Sequence, residues 1–264
     1  MRPLAWSQMR DAAAALCQDA PDGRWPRPNR CPMRCLPLAL ALLLILAPPA
    51  RACRLALALA MDVSLSVDDR DYAIQQQGLI AALQDAEVRA AFLRGDPAAL
   101  AVYEWSGIAH QQVVQDWVMV TGPQVLDRIA ARVAAHRRPS FGLATALGTA
   151  LDFGRKLLER APACGAQVID VSGDGRNNQG PDPWHVYAQG GWDGIIVNAL
   201  VISAHEMSLE AYMRREVIRG PGAFVEHVPQ HSDFPPAIRR KLIRELTEAV
   251  FGGLGPLPTP HRHP

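Results

Sequence analysis

Two stretches decide how this chain folds: Arg54-Leu-Ala-Leu-Ala-Leu-Ala-Met-Asp62 and Gln167-Val-Ile-Asp-Val-Ser-Gly-Asp-Gly175. Each is a short apolar run that ends in a carboxylate at a turn. Continuous runs of this length read as strands buried on both faces, the habit of parallel sheets covered by helices. Working outward, residues 68–84 have helical spacing, with Tyr72, Ile74, Leu79, Ile80 and Leu83 toward one side. Residues 99–105 and 112–120 read as strands separated by a short connection at Ser106-Gly107, which predicts a hairpin. Helices are expected over 123–136, where Pro123 stands at the start, and over 145–160. A helix around 183–189, a strand over 194–202, a helix over 208–218, a strand over 223–228 and an amphipathic helix over 235–250 complete the order. Strands alternating with helices predict an α/β fold: a doubly wound, mostly parallel six-stranded sheet with one antiparallel edge strand and helices on both faces. No internal repeat and no second domain is visible.

Composition agrees with a single core. The 264 residues are 49% hydrophobic and 20% charged, enough to bury a real interior. Lys and Arg number 27 against 26 Asp and Glu, which argues against a basic nucleic-acid binder. Residues 1–52 read differently. Met33-Arg34-Cys35 leads into an apolar run over 36–47, then Pro48-Pro49-Ala50-Arg51-Ala52. A positive start, a short apolar stretch and an Ala-x-Ala end are the parts of a secretory signal peptide. The run is too short to span a bilayer as a helix. The expected organisation is an N-terminal extension over 1–52 with the signal proper at 33–52, a domain over 53–251 and a disordered Gly/Pro-rich tail over 252–264. Met33 is an alternative start. Cleavage before Cys53 predicts a periplasmic or secreted protein with no membrane span. A lipid anchor on Cys53 ranks second, because Arg51 spoils a lipobox.

Leaving out residues 1–52, which hold seven Arg and three Asp, takes the balance to 20 basic against 23 acidic residues. It also leaves two cysteines, Cys53 and Cys164. In an exported chain two cysteines invite a disulfide; two separate buried thiols are the alternative.

Ligands of doubly wound sheets sit beyond the carboxyl ends of the strands. Polar residues gather there: Asp62-Val-Ser64-Leu-Ser66 after the first apolar strand, Ser172-Gly-Asp174-Gly175 after the second, and Phe141-Gly-Leu-Ala-Thr145 at a loop entering a helix. Where a strand ends in a turn, residues two apart face one cavity, so Asp62, Ser64 and Ser66 converge. Two carboxylates and three hydroxyls make an all-oxygen set suited to a hard cation. Singly, each residue has a plainer use, as a turn former or helix cap. Asp68 and Asp69 read as helix openers, and Asn177 and Asn178 as residues that shape the loop at the rim. Trp105, Trp117, Trp184 and Trp192 read as packing residues.

Together, Asp62-x-Ser64-x-Ser66, Thr145 and the Ser-Gly-Asp174-Gly turn resemble the metal-ion-dependent adhesion site of von Willebrand factor A domains, over roughly residues 54–250. Val171-Ser-Gly-Asp-Gly-Arg-Asn-Asn-Gln-Gly180 and Gly220-Pro-Gly-Ala-Phe224 resemble an uncharacterised bacterial exported branch of that family. The resemblance implies Mg²⁺ or Mn²⁺ at Asp62, Ser64, Ser66, Thr145 and Asp174. The two serines ligate directly, Thr145 directly or through water, and the aspartates often through water. Thr145 departs from the family in its Leu-Ala-Thr-Ala-Leu setting, and Thr149 is a weaker candidate. The implied function is an exported, non-enzymatic protein-binding module that takes an acidic residue of a partner protein. A Mg²⁺-dependent phosphohydrolase and a scaffold with a structural metal are the alternatives. No nucleotide, zinc-protease or hydrolase-elbow motif is present. The family's strand order also places the strands ending at Asp62 and Asp174 side by side. Cys53 and Cys164 then fall at the opposite ends at nearly equal height, and the resemblance pairs them.

Overall fold

The computed structural model describes residues 53–138 and 144–251. The N-terminal extension and signal segment (1–52), Phe141, Gly142 and Leu143 of the site loop, and the tail (252–264) lie outside the described residues. The elements follow the expected order. They are β1 (Cys53–Asp62), α1 (Asp69–Gln84), α2 (Ala86–Phe92), β2 (Ala98–Trp105), β3 (Gln111–Val120), α3 (Pro123–Ala135) and α4 (Leu147–Leu158). Next come β4 (Cys164–Gly173), α5 (Pro183–Ala188), β5 (Ile195–Ile202), α6 (Leu209–Tyr212), β6 (Val225–Val228) and α7 (Phe234–Phe251). The six-stranded sheet has the order β3-β2-β1-β4-β5-β6. Every pairing is parallel except the β2–β3 hairpin, which puts the antiparallel strand at the edge as expected.

The strand β1 lies at the centre, and its alternation serves two different faces. Leu55, Leu57, Leu59 and Met61 pack with residues of α1, α2, α3 and α7. Ala56, Ala58 and Ala60 lie on the other face with Leu147, Ala150 and Leu151 of α4. Small residues let α4 approach closely. A Cβ on Gly154 would stand 2.5 Å from the Tyr103 hydroxyl, which donates to the Ala150 carbonyl at 2.9 Å.

Three elements differ from the sequence reading. The short α2 was not expected; Asp85 starts it by accepting from the Glu87 and Val88 amides, and also ends α1. The helix expected from Thr145 begins at Leu147, so Thr145 sits in the approach loop and is not the cap. The helix expected over 208–218 is α-helical only to Tyr212 and continues as a π-helix, Met213–Val217.

One feature inside the larger core is polar. Lys241 of α7 is fully buried, with Nζ 2.8 Å from both Asp170 of β4 and Glu245. Asn198 of β5 donates to both Glu245 oxygens at 2.9 Å and accepts from the Phe224 amide at 2.8 Å. Burial opposes the lysine's charge, but the two carboxylates outweigh it and hold its pKa up. Burial pushes Asp170 up to about 7 against the pull of that lysine. This cluster ties the last helix to β4 through Lys241 and to β5 through Glu245.

The two cysteines are joined. Cys53 and Cys164 occupy paired register positions on β1 and β4, and their Cα atoms are 4.3 Å apart in a disulfide. The bond crosslinks the two central strands at the ends opposite Asp62 and Asp174. Among the described residues no helix is long and apolar enough to cross a membrane.

Candidate metal centre

At the other ends of those strands, β1 terminates in Asp62 and β4 runs directly into Asp174. Asp62 Oδ1 accepts the Ser64 amide at 2.8 Å, so the carboxylate folds its own loop into a tight turn. That turn carries Ser64 and Ser66 to the same side. Ser66 Oγ donates to Asp174 Oδ1 at 2.6 Å and lies 3.1 Å from Ser64 Oγ. Because Ser66 spends its single proton on Asp174, Ser64 must be the donor of that second contact. Gly175 is flanked by Thr145 Oγ1 and Ser66 Oγ, at 3.6 and 3.9 Å from where its Cβ would stand. Gly173 is likewise 3.2 Å from Asp62 Oδ2. The five residues read from sequence therefore come to one place, with the two glycines opening the space between them. Thr149 does not join them; its hydroxyl faces Gly180.

Several residues hold this loop cluster in shape. Asn178 Oδ1 accepts the Thr145 amide at 2.8 Å, and the Asn178 amide donates back to the Thr145 carbonyl at 2.9 Å. Asn177 Oδ1 accepts from Gly148 at 3.3 Å. A side chain on Gly148 would collide with the Pro181 carbonyl, so α4 and the loop after Asp174 touch backbone to backbone. Ser106 clasps the same approach loop from the β2 end, through Ala144 and Ala146. Arg138 was not singled out in the sequence. It pairs with Asp69 at 2.7 Å and donates to the carbonyls of Ser64 and Val67, which pins the serine loop from behind. Its distance in sequence from that loop hid it.

The electrostatics are those of a site short of positive charge. Asp62, Ser64, Thr145 and Asp174 are buried, whereas Ser66 is exposed, so the cluster opens to solvent at Ser66. Burial first, and Asp174 second, push the Asp62 carboxyl up to about 7. Burial also raises Asp174, against the opposing hydrogen bond from Ser66 and the nearby His231 and His205. Asp62 Oδ2 and Asp174 Oδ2 are both buried without a hydrogen-bond partner. Orphaned buried carboxylate oxygens are costly, and a divalent cation held by these residues would relieve that cost. Among the described residues no group of three or more His, Cys, Asp or Glu converges as a metal cluster. Hydroxyls must then complete any donor set, which fits a hard cation better than a soft one. Asp62 also forms the turn that its plainer reading required, so the two uses coexist in one side chain. Of the tryptophans, Trp105 and Trp192 are buried as expected, while Trp184 is half exposed.

A family model described as a protein of unknown function, DUF1194, matches residues 52–250. Among solved structures, proximal thread matrix protein 1 from the mussel byssus, with a zinc-occupied MIDAS motif, superposes with a TM-score of 0.54. It is 14% identical over 74% of this chain and 48% of that one. The von Willebrand factor type A protein from Catenulispora acidiphila gives 0.55 at 15% identity, covering 75% of this chain and 43% of that one. The conserved hypothetical protein BatB from Bacteroides thetaiotaomicron gives 0.51 at 13% identity, with 74% and 99% covered. At these identities the likeness shows the von Willebrand A-like fold. This chain spans about half the length of the byssus protein, 48%, and less of the Catenulispora one, 43%. No curated protein matches it.

Proposed function

The chain belongs to the DUF1194 family of proteins of unknown function, and from that premise we propose that it is an exported, metal-dependent protein-binding module. In this reading Asp62, Ser64, Ser66, Thr145 and Asp174 hold Mg²⁺ or Mn²⁺, and the ion takes a carboxylate from a partner protein. The observation that carries it is the meeting of these five side chains around two buried, unpartnered carboxylate oxygens. Three hydroxyls in the donor set leave a bound cation with little charge donated to it. Such an ion attracts an anionic ligand from outside. A hydrolase needs in addition a nucleophile and a general acid at the ion, so the module is read as non-enzymatic.

A second feature favours a protein partner. Leu65 stands between the two serines at 70% exposure, Ile108 tips the β2–β3 hairpin at 54%, and Met207 in the loop after β5 is 95% exposed. Each sits on a loop at the strand ends that bear the candidate site. Solvent-facing apolar side chains grouped at one end of a domain suit a protein interface. The bound zinc of the byssus protein and the A-domain likeness support a divalent site of this kind. Export rests on the signal-like segment at 33–52, with the mature module over 53–251 in the periplasm or secreted; the disulfide to Cys164 occupies the Cys53 sulfur that a lipid anchor would need.

The test is capture of partners from a periplasmic extract by the purified protein. Binding that is lost with EDTA, restored by Mg²⁺ and absent for Asp62→Ala supports the reading. Capture indifferent to chelator and to that substitution would overturn it.

A further inference from the structure

One buried polar atom at the site has no use in the five-residue reading. His231 opens the 3₁₀ turn (His231–Asp233) that leads into α7, and it is 4% exposed. Its Nε2 lies 3.6 Å from Asp174 Oδ2, and neither atom has a hydrogen-bond partner. Its Nδ1 faces Asp71 Oδ2 at 3.4 Å, in the first turn of α1. The imidazole thus bridges two carboxylates from separate elements, and one of them belongs to the candidate metal centre.

We propose that His231 is a positioning residue of the metal centre, donating to one lone pair of Asp174 Oδ2 so that the other lone pair of that oxygen stays turned to the cation site and Oδ1 stays engaged with Ser66. This rests on the metal-binding reading above. The physical reason lies in the rotation of a carboxylate about its last bond. Asp174 Oδ1 takes the only proton of Ser66, and that leaves the Ser66 lone pairs free to face a cation. An Asp174 anchored at one oxygen alone can turn away and release that proton into the site. A donor fixed on Oδ2 removes the freedom. A side-chain shift of well under 1 Å brings Nε2 within hydrogen-bonding distance of the carboxylate. Asp71 and the turn into α7 fix the imidazole in place, as outer partners of metal-binding carboxylates and histidines usually are fixed. No sequence spacing links His231 to Asp174, so the role is visible only in the fold.

Calorimetric titration of the full chain with Mg²⁺ tests it, comparing wild type, His231→Ala, His231→Gln and Asp62→Ala. His231→Ala should weaken Mg²⁺ by about 10–100-fold, the usual loss when an outer partner is removed. His231→Gln, which keeps a donor in similar space, should recover most of that loss even if His231→Ala folds poorly. Wild-type affinity in both histidine variants, with Asp62→Ala inactive, would overturn the positioning role and leave the metal site standing. No binding by wild type would sink the metal reading itself and this role with it. Electron spin-echo spectra of the Mn²⁺-loaded protein separate positioning from ligation. Absence of an imidazole nitrogen coupling agrees with positioning; a coupling lost in His231→Gln would put the histidine on the ion and overturn it.

Discussion

Asp62→Asn should stabilise the metal-free protein at pH 8 and change it far less at pH 4.5. Burial, and then the Asp174 charge, raise the Asp62 carboxyl from 3.8 to about 7 in the folded state. A folded pKa above the unfolded one means that the native state binds the extra proton between those values. The resulting stabilisation is complete below about pH 4 and is lost as pH rises through 7. Some three units at 1.36 kcal/mol each give a loss on the order of 4 kcal/mol by pH 8, an upper figure because relaxation of the pair reduces it. Asparagine keeps an oxygen for the Ser64 amide, which donates to Asp62 Oδ1 at 2.8 Å, and carries no charge to lose. Asp170, Asp174 and Glu104 are raised as well, so the informative quantity is the difference between variant and wild type. Urea unfolding in EDTA at pH 4.5, 6 and 8 measures it. The curves should lie within about 1 kcal/mol of each other at pH 4.5 and separate by up to about 4 kcal/mol at high pH, a large share of a typical total stability. Saturating Mg²⁺ should restore wild type at pH 8 and do little for Asp62→Asn. Parallel pH curves for the two proteins would refute the reasoning.

Cys164→Ser should lower the thermal midpoint under non-reducing conditions. The bridge spans a sequence separation of 111 residues, for which chain entropy gives up to about 5 kcal/mol, and Mg²⁺ affinity should hold because the bond lies at the far end of β1 and β4. An unchanged midpoint would contradict this. Lys241→Met should cost about 3–5 kcal/mol by urea unfolding, since Asp170 and Glu245 are left buried without their cation; a loss below about 1 kcal/mol would show that the cluster does not hold α7.

The central strands were legible because their burial is symmetrical. Leu55 to Met61 alternate Leu or Met with Ala, and both faces are covered, so the apolar run has no polar interruption to confuse it. The pairing of Cys53 with Cys164 followed once the strand order was supplied, because register along parallel strands is a matter of counting. Asp170 was read as part of an apolar strand; nothing local announces that Lys241, more than seventy residues on, meets it in the core. The helix α2 escaped because seven residues with one turn of apolar spacing carry too weak a pattern, and its start depends on the double use of Asp85. Within the site, Asp62, Ser64 and Ser66 are local and readable by spacing. Thr145 could be chosen over Thr149 on family grounds alone; in the fold its backbone is clasped by Asn178 and its hydroxyl lies beside Gly175, while that of Thr149 faces Gly180. Arg138 and His231 act across the fold, through contacts that no periodicity encodes.

The measurement that bears most directly on the account is calorimetric titration of Mg²⁺ into the full chain, with Asp62→Ala and Ser66→Ala beside it. Asp62→Ala removes a buried oxygen that the neighbouring hydroxyls cannot replace, and Ser66→Ala removes the hydroxyl that joins the serine loop to Asp174. The account predicts one saturable site in wild type, none in Asp62→Ala and a clearly weakened one in Ser66→Ala. Equal Mg²⁺ affinity in all three proteins, or none in wild type with the fold intact, would contradict it.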